Sequence, residues 1–314
     1  MSAQDKKGRA RALVLMSGGL DSILAAKILA AQGIEVSLVC FESYFFGCKD
    51  ALAAARAIDM DLRAVDISAP HLEIVKNPRY GHGGAVNPCV DCHLLMLKTA
   101  KTIMDAEGYD FVATGEVLGE RPMSQNKMSL DIVEQKSGLA GLLLRPLCAK
   151  LMPPTIAETE GLVNRDKLYG ISGRSRAPQL RLAEEFAIKD IPQPGGGCIL
   201  TEGDYGRKLK KLMEINPDFD GSDARILRHC RLVWEGKRLF AIARDRNDCA
   251  MLKELAKAGD FLLEPKNFPG PAVLARNFGE LANQDEMEKR CQDYILCHSK
   301  KIPPRPEFLA INPL

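Results

Sequence analysis

The sequence has no apolar run long enough to cross a membrane or to act as a secretory signal. Behind the basic residues Lys6, Lys7, Arg9 and Arg11, the first apolar stretch is only about five residues long. A cytoplasmic protein with no membrane partner is therefore expected. Charge of one sign is missing too: 43 basic and 41 acidic residues leave a formal charge of +2 over 314 residues. No global field then draws in nucleic acid, and any such partner must be met by a local patch. There is no internal repeat, heptad array or low-complexity segment. The 46% hydrophobic content excludes disorder as the main state and suffices for one large or two medium domains. Ten cysteines in a reducing compartment do not suggest a disulfide framework, so they are read as core filler and as candidate metal ligands.

Along the chain, apolar runs at residues 12–16, 36–41, 62–67, 111–114 and 142–145 alternate with helical spacing at 20–29, 50–58 and 94–107. That order predicts an α/β fold, a parallel sheet with helices on both faces. Residues 68–93 lack a sustained period and read as an irregular excursion, and 115–125 as a connector. The pattern changes near residue 202. A helix at 204–215 and a turn at 216–220 lead to two alternating runs, 231–234 and 239–243, around Glu235-Gly236, which reads as a hairpin. Pro303, Pro304 and Pro306 predict an extended terminus. Two domains are expected, 1–202 and 203–314, the second a smaller α+β unit.

Ser17-Gly18-Gly19-Leu20-Asp21-Ser22 stands between the first strand and the first helix. A glycine pair there turns the backbone tightly enough for several N–H groups to converge on an anion at the positive end of the helix. Ser17 and Ser22 add hydroxyl donors. Asp21 beside an anion nest implies Mg²⁺ or an orienting role on the helix. The Walker lysine is absent. The hexamer resembles the S-G-G-x-D-S motif of the PP-loop ATPases residue for residue. That resemblance implies an adenine nucleotide alpha-hydrolase-like sheet and cleavage of ATP to AMP and pyrophosphate, with a carbonyl oxygen activated as its adenylate. It also implies an adenosine pocket formed by Cys40, Phe41, Thr114, Gly115 and Glu116.

Asn87-Pro88-Cys89-Val90-Asp91-Cys92-His93 sets two thiols three residues apart at a helix start, and Cys198 follows the glycine run Pro194-Gly195-Gly196-Gly197. The spacing leaves three readings open. One is a zinc site of Cys89, Cys92, Cys198 and His93. Another is a persulfide and nucleophile pair, Cys92 and Cys198, with a thiol pKa lowered by the helix N-terminus. The third is a 4Fe-4S cluster on three thiolates with one iron open. The chain resembles the tRNA thiouridine synthetases of the PP-loop group, which implies the cluster, with hydrosulfide on the open iron replacing the adenylated uridine oxygen. Asp21, Cys89, Cys92 and Cys198 are then the catalytic candidates. The resemblance implies tRNA as partner, sulfide or a sulfur-donor protein as the source of sulfur, and 4-thiouridine at tRNA position 8 as the preferred product. The alternatives are 2-thiouridine, sulfur transfer to a small molecule, and a non-catalytic ATP- and RNA-binding protein. A homodimer is compatible with the sequence. Cys40 and Cys148 read as core, and Cys48, Cys230, Cys249, Cys291 and Cys297 have no spacing partner that makes a metal site.

Arg174, Arg176 and Arg181 surround a glycine turn ahead of a helix and suit phosphate contact; Arg121, Gln125 and Lys127 are weaker candidates of the same kind. The tail motifs Asn216-Pro217-Asp218-Phe219-Asp220, Gly259-Asp260-Phe261-Leu262-Leu263-Glu264-Pro265 and Phe268-Pro269-Gly270-Pro271 resemble the NFACT-R domain. This implies RNA binding, with Arg228, Arg231, Lys237 and Arg238 near the hairpin as the phosphate contacts. The 4-thiouridine synthetase pattern also has a THUMP domain ahead of the PP-loop. Only about eleven residues precede the first strand here, so the tail is expected to supply recognition.

Overall fold

A short apolar run with β-branched residues is stable only if its backbone is paired and both its faces are covered. In the computed structural model, which describes residues 9–193, 197–279 and 283–311, the first such run lies at the centre of a sheet. Strands β1 (Arg11–Leu15), β2 (Glu35–Glu42), β3 (Leu62–Asp66), β4 (Phe111–Ala113) and β5 (Leu143–Leu144) form it in the order β3-β2-β1-β4-β5. All neighbours are parallel, with Val14 opposite both Leu38 and Ala113. Among the undescribed residues are Lys6 and Lys7 of the basic N-terminal cluster and Pro194, Gly195 and Gly196 of the glycine run.

Parallel neighbours need crossovers. These carry α1 (Leu20–Ala30), α2 (Lys49–Ala57), α3 (Ser68–Lys76) and α4 (Cys89–Glu107). After β4 come α5 (Lys127–Ser137), the single turn α6 (Ile156–Thr159) and α7 (Ala177–Glu185). Side-chain alternation along β1 divides the core between the two faces. Ala12 and Val14 pack with Leu24, Leu29, Leu144 and Leu182 on one side. Leu13 packs with Val39, Leu97, Val112 and Val133 on the other.

Three expectations are corrected here. Residues 68–93 are not irregular throughout, because Ser68–Lys76 is helical; Pro70 falls in its first turn, where a missing N–H costs little. Helix α4 begins at Cys89 rather than at residue 94, so the C-x-x-C pair sits on its first turn. Cys40 and Cys48 are neither plain core filler nor metal ligands: Cys48 is the N-cap of α2 and is joined by a disulfide to Cys40 of β2, with the two Cα atoms 5.9 Å apart. The chain turns back just after β2, where Ser43 bridges Phe46, and so returns Cys48 to the strand it left. Helix α5 was not anticipated; Gly138 in the left-handed conformation ends it.

The first compact unit is Met1–Thr201 and the second Glu202–Leu314. The second contains α8 (Gly203–Ile215), α9 (Gly221–His229), α10 (Arg246–Leu255) and α11 (Gln284–Cys297). Its strands are β6 (Arg231–Glu235), β7 (Arg238–Ile242), β8 (Phe261–Pro265), β9 (Val273–Asn277) and β10 (Phe308–Ile311). They form an antiparallel sheet in the order β10-β8-β9-β7-β6. The hairpin is thus β6–β7, and the terminus expected to be simply extended returns to pair as β10. Phe240, Ile242, Leu263 and Ala275 pack against Met287, Cys291 and Ile295 of α11.

One polar network crosses this unit. Arg276 of β9, only 2% exposed, binds Asp223 at 2.6 Å, Asp260 at 2.6 and 2.9 Å and the Leu255 carbonyl at 2.8 Å. Lys257 adds a second cation to Asp223 at 2.9 Å. Removing the guanidinium leaves buried Asp260 without a cation and Asp223 with Lys257 alone, a loss that costs roughly 3–5 kcal/mol in such networks. Arg276→Met is expected to destabilise the second unit by that order. Trp234, the only tryptophan in the sequence, reports its urea transition, and a loss below about 1 kcal/mol would refute the account.

Candidate active site

A loop that binds an anion through its backbone must leave N–H groups free and keep side chains out of the way. Gly19 is the N-cap of α1 and provides no side-chain cap, so the first-turn amides are left for an incoming anion. The two remaining glycines near the loop are required for a different reason. A Cβ on Gly18, which has φ +85°, would lie 2.5 Å from the Asp50 carbonyl carbon in the first turn of α2. A Cβ on Gly115, just past β4, would lie 2.5 Å from the backbone of both Asp21 and Ser22. The loop is therefore clamped between α2 and the exit of β4 by backbone-to-backbone contact. Ser22 donates to the Gly19 carbonyl at 2.8 Å and lies 3.3 Å from the Ser17 hydroxyl, which fixes the turn from within.

Burial pushes the Asp21 carboxyl up from its ordinary value. A hydrogen bond from Gln179 and the charges of Arg176 and Arg121 act in the opposite direction. Glu120 is likewise raised, first by burial and then by the Asp21 charge. Two carboxylates that sense each other beside an anion loop fit a Mg²⁺ that takes its other ligands from phosphate and water. Gln179 and Glu120 were not anticipated. Gln179 is 1% exposed and its carbonyl oxygen has no partner, and nothing in the local sequence separates it from an ordinary helix-surface amide.

Glu116 sits at the centre of a second cluster. It accepts from Arg145 at 3.0 Å and Thr114 at 3.0 Å, and His93 Nδ1 lies 2.9 Å away. Arg145 also donates to Glu134 at 2.7 Å and to the Leu130 carbonyl at 3.3 Å. Burial would raise the Glu116 carboxyl, but Arg145 and then His93 outweigh it and hold it at about 2. Glu116 thus ties the start of α4 to the end of β4.

The thiols gather at the same end of α4. Asp91 accepts from the backbone N–H groups of Arg79 at 3.3 Å and Tyr80 at 2.9 Å, folding the preceding loop back on the helix. Asn87 donates to Cys89 Sγ at 3.1 Å. The Val86 N–H donates to the Leu200 carbonyl at 3.3 Å, bringing the segment with Cys198 alongside. Burial pushes the Cys92 thiol well up, and the charges of Cys198, Cys89 and Asp91 push it further. Burial also raises Cys198. The expected lowering of a thiol pKa by the helix N-terminus is therefore reversed. Cys89, Cys92 and Cys198 interact electrostatically, yet among the described residues no group of three or more His, Cys, Asp or Glu side chains is arranged to hold a metal ion.

Other candidates are redistributed. Cys40 is in the disulfide, Phe41 is 6% exposed within the core, and the Thr114 hydroxyl donates to Glu116. Arg176 donates to the Pro192 carbonyl at 3.1 Å and acts on Asp21 and Glu120, whereas Arg174 and Arg181 are exposed. In the second unit Arg238 is paired with Glu286 at 2.7 Å, while Arg228, Arg231 and Lys237 are exposed.

Residues 8–151 match the family model described as Thiamine biosynthesis protein (ThiI). The chain is similar to the tRNA-specific 2-thiouridylase MnmA of Caldicellulosiruptor saccharolyticus, at 27% identity over 237 residues, covering 66% of this chain and 61% of the relative. It is also similar to the tRNA-specific 2-thiouridylase MnmA of Agrobacterium fabrum, at 25% identity over 314 residues, with 86% and 76% covered. A 4-thiouridine synthetase crystallised with RNA and bound ATP aligns with a TM-score of 0.37 and 16% identity, over 57% of this chain and 52% of that one. The chain thus spans about three fifths of the first relative's length. The first unit is an α/β domain with a five-stranded parallel sheet, and no helix among the described residues is long and apolar enough to cross a membrane.

Two outcomes follow from this geometry. Gly115→Ala places a methyl group 2.5 Å from backbone that cannot move without opening the loop. It is expected to weaken ATP binding by at least about tenfold, read by calorimetry, while Gly138→Ala, which meets nothing within 4 Å, leaves ATP affinity unchanged. For Glu116 the folded form favours the ionised carboxylate, because its value of about 2 lies below the ordinary 4.5. Its contribution is complete above that ordinary value and is lost as the pH falls toward 2. Glu116→Gln should cost on the order of 3 kcal/mol at neutral pH. It should also flatten the fall in stability of the first unit between about pH 5 and pH 3, measured by denaturant titration at each pH.

Proposed function

We propose that the chain is an ATP-dependent, AMP-forming tRNA sulfurtransferase that makes 2-thiouridine, with Cys92 and Cys198 as its sulfur-handling pair. One observation carries this reading: the segment Thr114-Gly115-Glu116 touches both chemistries. Gly115 lies against the backbone of Asp21 and Ser22, and Glu116 holds His93, the residue after Cys92. This link supports a reaction in which an oxygen activated over the loop is then attacked by sulfur from the thiols. The names of the MnmA relatives support C2 of the uridine over the C4 position preferred on sequence grounds.

On this reading the first-turn amides of α1 and the hydroxyls of Ser17 and Ser22 receive the pyrophosphate of ATP. Mg²⁺ held with Asp21 and Glu120 would neutralise charge on the departing pyrophosphate. The uridine O2 attacks the α-phosphorus, the bond to pyrophosphate breaks, and the base is left adenylated. A sulfur-donor protein loads Cys198 as a persulfide, whose terminal sulfur attacks C2. Cys92 then loses its proton and attacks Cys198 Sγ. The persulfide S–S bond breaks, a Cys92–Cys198 disulfide forms, the transferred sulfur stays on C2, and AMP leaves with O2. A dithiol reductant restores the two thiols. Arg174 and Arg181 are the contacts for tRNA phosphates on this unit.

Cys92→Ala and Cys198→Ala should each abolish thiolation of bulk tRNA and keep ATP binding, whereas Asp21→Asn should impair adenylation itself. Cys249→Ser should change neither. Because burial and its neighbours raise the Cys92 thiol, the rate of sulfur transfer should increase with pH above neutrality. Anaerobically purified protein assayed for iron, acid-labile sulfide and zinc decides between mechanisms. A colourless, metal-free protein active with a persulfide donor supports the pair; iron and sulfide whose removal stops thiolation would overturn it.

A further inference from the structure

The second unit has a concave surface that the proposed chemistry does not use. Helix α8 buries Tyr205, Leu209 and Leu212 and turns Asp204, Arg207, Lys208 and Lys211 outward at the i, i+3, i+4, i+7 spacing of one helix face. Opposite this stripe runs β6, one of the two edge strands of the sheet. Along β6, Val233 packs toward the core beneath α11, and Glu235 is held by Arg290 and Tyr294. The alternate residues Leu232 and Trp234 face the helix stripe. Together with Cys230 and Arg231 they line an open pocket of about 380 Å³.

The chemistry of the lining is specific. Asp204 is the one acid, and it is already paired with Lys208 at 2.7 Å and Arg207 at 3.2 Å. Among the described residues, Arg231 makes no ion pair, and Lys211 stands over the Trp234 ring, 5.4 Å from its centroid. Four cations against one carboxylate leave a local excess of positive charge in a chain that is nearly neutral overall. The indole is backed by Phe278, with ring centres 5.9 Å apart and planes 28° from parallel. A lysine over a half-buried ring is held more weakly than a stacked nucleobase, so a base can displace it. The displaced ammonium remains beside the phosphate that flanks that base. Arg207, Lys208 and Arg231 extend the positive track past the pocket on both elements.

We propose that this pocket takes an unpaired nucleotide of an RNA strand, with the base stacked on Trp234 and the flanking phosphates on Arg207, Lys208, Lys211 and Arg231. The inference rests on reading the chain as an RNA-modifying enzyme and names a second contact of that enzyme with its substrate. A stacked base with flanking phosphates distinguishes RNA from an acidic peptide, which would use the cations but not the ring. Spread along two elements, the cations serve consecutive phosphates, whereas a free mononucleotide could use only one or two of them.

Trp234 is the only tryptophan in the sequence, so its emission reports the stacking directly. The full chain, without ATP, is titrated with a single-stranded oligouridylate about ten nucleotides long. Saturable quenching is expected, weakening as salt rises. Arg231→Gln and Lys211→Gln should each reduce the slope of log affinity against log salt by about 0.7. Trp234→Leu, measured by filter binding, should reduce affinity about tenfold. UMP and polyglutamate should quench only weakly. Absence of quenching at saturation, equal quenching by polyglutamate, or an unchanged salt slope in both charge variants would overturn the proposal. Cys198→Ala keeps the two readings separable: loss of thiolation with quenching intact leaves this site standing, and thiolation retained in Cys198→Ala sinks the sulfur-transfer reading alone.

Discussion

The first unit depends on a contact in which no side chain takes part. Gly18 meets the first turn of α2, and Gly115 meets the first turn of α1, each so closely that a single methyl group would overlap backbone. Sheet order makes both contacts unavoidable. β1 lies between β2 and β4, so the loop leaving its end is flanked by whatever leaves those two strands. Open α/β sheets bind ligands at this crevice because the connections diverge there and leave helix N-termini facing a gap. The gap is not left soft in this chain. The Cys40–Cys48 bridge ties the end of β2 to the start of α2, so the element against Gly18 is itself anchored.

A second constraint operates one layer below. Glu116, Arg145, His93, Thr114 and Glu134 form a buried ionic network whose net contribution to stability need not be large, because desolvation offsets much of the Coulomb gain. Its value is positional. A well-packed apolar cluster at the same place could slide, whereas the bonds at Glu116 fix the rotation of α4 about its axis and with it the direction of Cys92. The Arg276 network plays the comparable part in the second unit, drawing α9 and the loop before β8 onto β9.

The sequence made the strand-loop-helix order and the anion loop legible because both are local: apolar periodicity, two glycines and two serines are read within a dozen residues. It concealed what depends on distant partners. Gln179 reaches Asp21 from another helix, and a buried amide has the same letter as an exposed one. Helix α3 was missed because Pro70 looks like a breaker until its place in the first turn is known. Helices α9, α10 and α11 each begin with an Asp or Asn that accepts a first-turn N–H, a signal that was present but not used. Compartment constrains the average cysteine and not a pair such as Cys40 and Cys48, brought together by a tight return of the chain.

The thiols show how burial decides chemistry that spacing leaves open. A C-x-x-C pair on the first turn of a helix should ionise easily if the helix end dominates. Here desolvation is the largest influence on Cys92, and the neighbouring sulfurs add to it, so ionising one thiol opposes ionising the next. Three simultaneous thiolates, which a cluster would require, are the least favoured state of such a group unless a metal charge compensates them. A single thiolate formed only at the moment of attack is far less costly. A disulfide between two of the thiols removes the repulsion altogether. The proposed sulfur transfer, which ionises one thiol at a time, suits this burial.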